Sequence, residues 1–493
     1  MYAIDLEDVK ISLRDLAAIL QVVALVMLVP IIVTSIYTSS QSSLEFFKEL
    51  SAFIIPSAAY YLLYVLIRLT IKTDAETKSK HGLLAVVIAW FLIPLIGALP
   101  FLIRGALNPV DAFFESMSGW ATTGMTMIAR PELVAADLIF YRSLTHLVGG
   151  VGIIALGLMI FLQSGKAATD YYVSEVGGGK IRPGIRGTIF ETWKIYLLYA
   201  FIGIVLFYVA GMNSFDAVNH AFAAIATGGF STHAESIGYF QSIWIELVAI
   251  LLMLAGSISF LLHFQLFNGD WGALKRNIEA KYMLVLSVIC FLVVFLSLAK
   301  DSAYDPSYYP HLLRDTVFQV VSSISCTGFG TVDTGGWPQL AQTALMFLMY
   351  VGGFYGSTAG GIKLLRFIVV VKAVSFNLRK MILPKNAIIT LRMGDKPIMP
   401  DEIVFVMGLS MVYLMVALVG ASSLMWLGFT GYESMELSLS AMGNVGIVFV
   451  TGDAWYHMAD AGKIILALLM WIGRLEIFPI LIFLGPLYFR KKR

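Results

Sequence analysis

Residues 325–331 read Ser-Cys-Thr-Gly-Phe-Gly-Thr. After a short apolar segment, residues 351–366 read Val-Gly-Gly-Phe-Tyr-Gly-Ser-Thr-Ala-Gly-Gly-Ile-Lys-Leu-Leu-Arg. A turn rich in Gly and Thr thus lies between two apolar segments, the second of them interrupted by a cluster of glycines. In lipid, irregular backbone at membrane depth persists only where protein or a water-filled cavity completes its hydrogen bonds. Carbonyls released by such a turn can replace the water around a cation.

The turn occurs four times: Thr122–Met125 (TTGM), Thr227–Phe230 (TGGF), Cys326–Phe329 (CTGF) and Asn444–Ile447 (NVGI). With Gly124, Gly229, Gly328 and Gly446 superposed, the residue 13 positions earlier is always acidic: Asp111, Asp216, Asp315 and Glu433. Only 13% of the chain is charged, so the repetition carries weight. A carboxylate at the start of a short helix complements the positive end of its dipole and leaves the negative end aimed at the turn. Four such helices converging on one point make a cation site. The competing reading is four unrelated acid-capped helices that end at ordinary glycine C-caps.

The chain is 58% hydrophobic, and its mean hydropathy of +0.82 lies far above that of a soluble domain. Ten apolar runs are long enough to span a bilayer. A net charge of +2 argues against a nucleic-acid partner, and Cys290 and Cys326 offer neither a disulfide framework nor zinc spacing. Asp5, Glu7 and Asp8 precede the first apolar run in place of a basic n-region, so it reads as a retained membrane helix.

The expected fold is an all-α polytopic membrane protein of ten transmembrane helices. Residues 1–81 hold two N-terminal helices (17–37 and 50–70) and a basic cytoplasmic loop. Four units of spanning helix, pore helix, Gly turn and spanning helix then occupy 82–189, 190–280, 281–400 and 401–493, in pseudo-fourfold order around a pore. Most of the 34 lysines and arginines fall on the side of the N-terminus, Lys363, Arg366 and Arg490–Arg493 among them. That side is cytoplasmic. The four aligned acids lie outside, where they would draw cations to the mouth.

Each second spanning helix carries a pair of residues, small except at one position, 24 to 28 positions after its turn glycine: Gly149-Gly150, Gly256-Ser257, Gly352-Gly353 and Gly473-Arg474. Arg474 is too deep to snorkel, and an intramembrane charge marks a functional site by default. We place it on the pore axis as a fixed positive charge. The alternative is an ion pair, although its neighbour Glu476 at i+2 faces elsewhere on a helix. The stretch Gly352–Gly361 is too glycine-rich to stay regular and reads as a movable break beneath the turns. Its alternative is a close-packing small-residue face. Lys363 and Arg366 then mark the cytoplasmic exit.

Val176–Lys180 (VGGGK) and GSTAGGIK lack phosphate-loop spacing. His146, His220 and His263 lack metal-ligand spacing, and no nucleophile elbow is present. An intramembrane enzyme built on His146 and His220 is therefore the weaker reading.

These residues resemble the Trk/Ktr/HKT superfamily of potassium transporters. GGFSTH (228–233), GNVG (443–446), GGxxGSTxGGIK (352–363) and GRLEIF (473–478) carry the likeness. The two extra N-terminal helices bring it nearest to the bacterial TrkH/TrkG branch, over almost the whole chain. The resemblance implies potassium uptake across the bacterial inner membrane and a homodimer with one pore per subunit. It also implies a cytoplasmic nucleotide-binding gating ring of the TrkA kind. The filter would consist of Thr122, Thr123, Gly124, Thr227, Gly228, Gly229, Cys326, Thr327, Gly328, Asn444, Val445 and Gly446. The gate would comprise Gly352, Gly353, Gly356, Ser357, Thr358, Gly360, Gly361 and Lys363, with Arg474 at the constriction. Glycine at position 124 goes with potassium in this superfamily, whereas serine there goes with sodium permeation. Phe354, Tyr355 and Ala359 in the gate, and Ile447-Val448 after the fourth turn, depart from the pattern. A sodium- or proton-coupled symporter is the alternative within the transport class.

Overall fold

The computed structural model describes residues 6–37, 43–161, 185–301, 309–384, 390–393, 396–450, 452–481 and 483. Lys166, Val176–Lys180, Arg182, Lys385 and Arg490–Arg493 lie outside them.

The N-terminal part comprises α1 (Leu6–Val26), α2 (Pro30–Tyr37) and α3 (Ser43–Thr70). It packs on α4 (Ser79–Gly97), which continues through a one-residue break into α5 (Leu99–Ile103). Tyr60 donates its hydroxyl to the Ile93 carbonyl (2.5 Å), and buried Asp8 pairs with His81 (2.8 Å) and Lys80 (2.6 Å). The first unit continues with α6 (Pro109–Trp120) and α7 (Ala136–Phe161). The second runs through α8 (Ile185–Val209), α9 (Ser214–Ile225), α10 (Ile243–Ser257) and α11 (Phe260–Phe267). After the short α12 (Gly272–Arg276) come α13 (Ile278–Ala299), α14 (Tyr309–Ile324), α15 (Gln339–Val351) and α16 (Leu364–Ile382). The last unit holds α17 (Pro400–Trp426), α18 (Gly431–Met442), α19 (Asp453–Tyr456) and α20 (Asp460–Arg474). A two-residue ladder, Arg392–Met393 against Lys396–Pro397, is the sheet content of the described residues.

Among the described residues six helices are long and apolar enough to cross a membrane, or seven if α10 and α11 form one bent span. Their outward faces carry exposed large apolar side chains such as Trp426, Val404 and Leu284, the arrangement expected of helices solvated by lipid.

The aligned acids hold the N3 position of their helices. Asn108 caps α6 by accepting from the Asp111 amide (2.9 Å), and Asn213 caps α9 from the Asp216 amide (2.8 Å). Thr430 and Glu433 form a reciprocal capping box on α18. In the third unit the helix begins at least six residues earlier, so Asp315 lies mid-helix and accepts from the Thr331 hydroxyl (3.0 Å).

Irregularity is wider than the single break expected from the glycines at 352–361. The α10/α11 axis turns by 105° at Ile258-Ser259, and α20 stops at Arg474, followed by Glu476 and Ile477 with φ of 54° and 64°. The breaks satisfy one another. Phe354 donates its amide to the Ser257 carbonyl (2.9 Å), and Phe260 donates to Gly356 (3.3 Å). Backbone freed in one unit is thus hydrogen-bonded by backbone freed in the next, as a low-dielectric setting demands.

Candidate functional site

The four short helices α6, α9, α14 and α18 end identically. In each, the amide of the first turn residue (Thr122, Thr227, Cys326, Asn444) bonds three residues back, to Gly119, Ala224, Ser323 and Ala441. The next amide (Thr123, Gly228, Thr327, Val445) bonds five back, to Ser118, Ala223, Ser322 and Ser440. This is a Schellman termination, normally made with glycine in the left-handed position. Here that position holds Thr122, Thr227, Cys326 and Asn444, with φ of 51°, 51°, 54° and 49°. A non-glycine left-handed residue costs on the order of 1–2 kcal/mol, so four in register indicate an imposed geometry. Gly124, Gly229, Gly328 and Gly446 follow at φ of 88°, 78°, 81° and 90°.

The turns close into a ring. A Cβ on Gly124 would lie 2.1 Å from the Gly228 carbonyl oxygen, and one on Gly229 would lie 2.1 Å from that of Thr327. On Gly328 it would meet Val445 O at 2.0 Å, and on Gly446 it would meet Thr123 O at 2.2 Å. Each glycine therefore touches the carbonyl of the next turn, and the fourth returns to the first. Only glycine fits, because of both φ and the contact. Asn444 Nδ2 stitches the closure, donating to Thr123 Oγ1 (2.9 Å) and the Met470 carbonyl (3.0 Å). Among the described residues no hydrogen bond is donated to the carbonyls of the twelve turn residues. On one side the ring opens into a cavity of about 660 Å³, lined by the four glycines and by Arg142, Glu235 and Asp333 among others.

The acids at the helix starts do not line that cavity. Asp111 is occupied by Asn108 and Lys463 (2.5 Å), Asp216 by Asn213, Thr232 and His233, and Glu433 by its cap. Asp111, Asp216 and Glu433 serve the N-terminal ends of their helices, whereas Asp315 lies mid-helix on Thr331.

The small-residue register has a direct cause in three units. Cβ atoms on Gly149, Gly256 and Gly473 would sit 2.2, 2.5 and 2.0 Å from the carbonyls of Trp120, Ile225 and Met442, each the last residue of its pore helix. The third unit departs from this pattern. Gly352 abuts the Gly360 carbonyl instead, because the segment 352–363 folds back against the helix end.

That segment lies against the opposite side of the ring from the cavity. Thr358 Oγ1 donates toward the Ile225 (3.0 Å) and Gly256 (2.9 Å) carbonyls and contacts Thr227 Oγ1 (3.2 Å). Gly361 donates its amide to Gly443 (3.1 Å), the C-cap of α18. The segment thus bridges the undersides of the second and fourth turns. Phe354 and Tyr355, which depart from the small residues expected there, are buried. The Tyr355 amide donates to Glu279 Oε1 (3.0 Å).

Arg474 is 2% exposed, and among the described residues it forms no ion pair with a carboxylate. Its two terminal nitrogens donate to the Thr358 carbonyl and the Gly149 carbonyl, both at 3.0 Å, tying the segment to α7. Glu476 pairs instead with Arg366 (2.6 Å) and Lys363 (3.9 Å), and Lys363 also donates to the Ala359 carbonyl. Lys363 and Arg366 are therefore buried ion-pair partners of Glu476.

His146 and His220 do not come together as a catalytic pair. His146 stacks on Phe230 (4.2 Å between ring centres), and His220 bonds Ser231 Oγ (2.9 Å). His263 bonds Tyr199 (2.9 Å) and the Ala255 carbonyl (2.9 Å). The described residues hold no cluster of three or more His, Cys, Asp or Glu that could bind a metal. The sequence reading missed the buried pair Arg142–Glu115 (2.7 Å) beside the first turn. Its signal was available: two charged residues inside segments otherwise apolar.

The family of cation transport proteins named TrkH matches residues 43–487. An uncharacterised cation transporter of Methanocaldococcus jannaschii is 33% identical over 489 residues, covering 99% of this chain and 98% of its own. The Trk system potassium uptake protein TrkH of Vibrio parahaemolyticus is 34% identical over 429 residues, 84% of this chain and 87% of that one. The crystal structure of the potassium transporter TrkH from the same organism superposes with a TM-score of 0.85 at 29% identity, covering 98% of this chain and 99% of that chain. The chain belongs to the TrkH family of cation transport proteins and is a multi-pass membrane transporter, not an enzyme.

Proposed function

We propose that the chain mediates potassium uptake across the inner membrane through the ring of four turns. The observation that carries this is the ring itself: four left-handed non-glycine residues, four mutually touching glycines and twelve carbonyls, none of which accepts a hydrogen bond among the described residues. Such carbonyls are free to take the place of an ion's water shell. Ten spanning helices in four units plus an N-terminal pair supply the frame. Gly352–Lys363 acts as an intramembrane gate latched by Arg474. The working form is a homodimer, and a cytoplasmic nucleotide-binding subunit of the TrkA kind releases the gate. A relative named for potassium, matched both in sequence and in its solved structure, supports the choice of ion.

The test is rubidium uptake into liposomes holding the purified chain, with and without sodium and proton gradients and with and without the nucleotide-loaded partner. Uptake driven by the rubidium gradient alone and stimulated by the partner is expected. Strict dependence on a sodium or proton gradient would establish the symport reading. Gly124→Ser places a side chain against the Gly228 carbonyl and should lower the preference for potassium over sodium.

A further inference from the structure

Beside the first and second turns lies a charged pair that is almost fully buried. Glu115 lies on α6, nine residues before Gly124, and is 1% exposed; Arg142 lies on α7 and is 2% exposed. Arg142 Nε donates to Glu115 Oε1 at 2.7 Å. The carboxylate also accepts from the Thr126 hydroxyl (2.9 Å) and the Met127 amide (2.9 Å), so it holds the strand leaving the first turn.

The guanidinium reaches further. One terminal nitrogen donates to Thr126 Oγ1 (3.1 Å), the other to the Ser231 carbonyl (3.3 Å) in the strand leaving the second turn. Its carbon sits 4.1 Å from the centre of the Phe230 ring, whose plane also stacks on His146. Phe230 directly follows Gly229. Nε of Arg142 is thus spent on Glu115, and both terminal nitrogens on residues two positions beyond a ring glycine. A planar five-donor fork can do this where a lysine cannot.

The other units have no equivalent. Nine residues before the ring glycine stand His220, Gln319 and Leu437. His220 bonds the Asp216 carbonyl (2.8 Å) and Ser231 Oγ (2.9 Å), and Gln319 reaches the Val332 carbonyl at 3.5 Å. The third and fourth turns are held instead by the Ser322 and Ser440 hydroxyls, which donate to the Phe329 (2.7 Å) and Ile447 (2.6 Å) carbonyls of their own units, so the buried ion pair sets the first two turns apart. Taking two charges out of water is costly, and an apolar pair of similar volume would serve packing as well or better. Retaining the pair points to a need for directed hydrogen bonds.

We infer that Arg142 and Glu115 are positioning residues that set the spacing of the first two turns and thereby the size of ion the ring accepts. This rests on the proposed reading of the ring as the filter. The charges touch no ion in this scheme; they act through Thr126, Met127, Phe230 and Ser231.

The experiment compares wild type, Arg142→Lys, the double variant Arg142→Met/Glu115→Leu and, as control, Gly124→Ser. Each is purified, checked for a folded monodisperse species, and assayed in liposomes for rubidium uptake and for competition by potassium and by sodium. The double variant preserves apolar volume and should fold. It should still carry rubidium, with its preference for potassium over sodium reduced about tenfold. Arg142→Lys keeps the charge without the fork and should fall between it and wild type. Wild-type preference in the double variant, with Gly124→Ser altered, overturns the inference and leaves the filter reading intact. Wild-type preference in all variants overturns both. Failure of both Arg142 variants to fold also overturns it, because the pair then serves the fold alone.

Discussion

Replacing Arg474 with alanine should open the path. Its guanidinium makes two bonds to main-chain carbonyls, Thr358 in the bridging segment and Gly149 in α7, each 3.0 Å long and shielded from solvent. Hydrogen bonds from a charged donor contribute about 1.5–3 kcal/mol each. At the lower figure the pair holds the segment down by about 3 kcal/mol, and each ~1.4 kcal/mol is a factor of ten in the closed-to-open ratio. Alanine removes both bonds and the fixed charge that opposes a passing cation. Rubidium uptake by the reconstituted chain, measured without its cytoplasmic partner, should therefore rise about 10- to 100-fold. The range runs downward because water filling the vacated space will satisfy part of what the carbonyls lose. Arg474→Lys keeps the charge but cannot bridge both carbonyls, and should rise only a few-fold. Folded Arg474→Ala protein that takes up rubidium no faster than wild type would refute the latch.

Two further outcomes follow from the same contacts. Glu476→Gln leaves Lys363 and Arg366 buried without their counter-charge, a loss of about 3–5 kcal/mol when a buried pair is broken from one side. Its melting transition in detergent should drop by several degrees, and an unchanged transition would show that the pair is hydrated. Gly473→Ala brings a methyl within 2.0 Å of the Met442 carbonyl and must push α20 off the end of α18. Overpacking of this kind costs about 1–3 kcal/mol. The variant should lose both monodispersity and uptake, and wild-type behaviour would contradict the contact.

The sequence by itself determined the membrane character, the four turns and their common spacing, because these depend on local composition and on short intervals along the chain. In three of the four units the acid 13 residues before the ring glycine follows from a helix of about three turns ending in a Schellman motif, all of it local physics. The glycine register of the second helices was also legible, though not its cause, which is the approach of a pore-helix carbonyl from elsewhere in the chain. Tertiary structure alone decided who pairs with whom. Arg474 finds carbonyls from two other units, while Glu476, two residues on, turns to Arg366 and Lys363. The helix ends at Arg474, so the i+2 geometry of a continuous helix no longer governs where Glu476 points. Likewise the break at Ile258-Ser259 carries no glycine or proline to announce it. It exists because Ser257 and Phe260 bond to the segment 354–356, nearly a hundred residues away. Whether a turn's carbonyls remain free is settled only when four distant turns meet and no donor arrives with them.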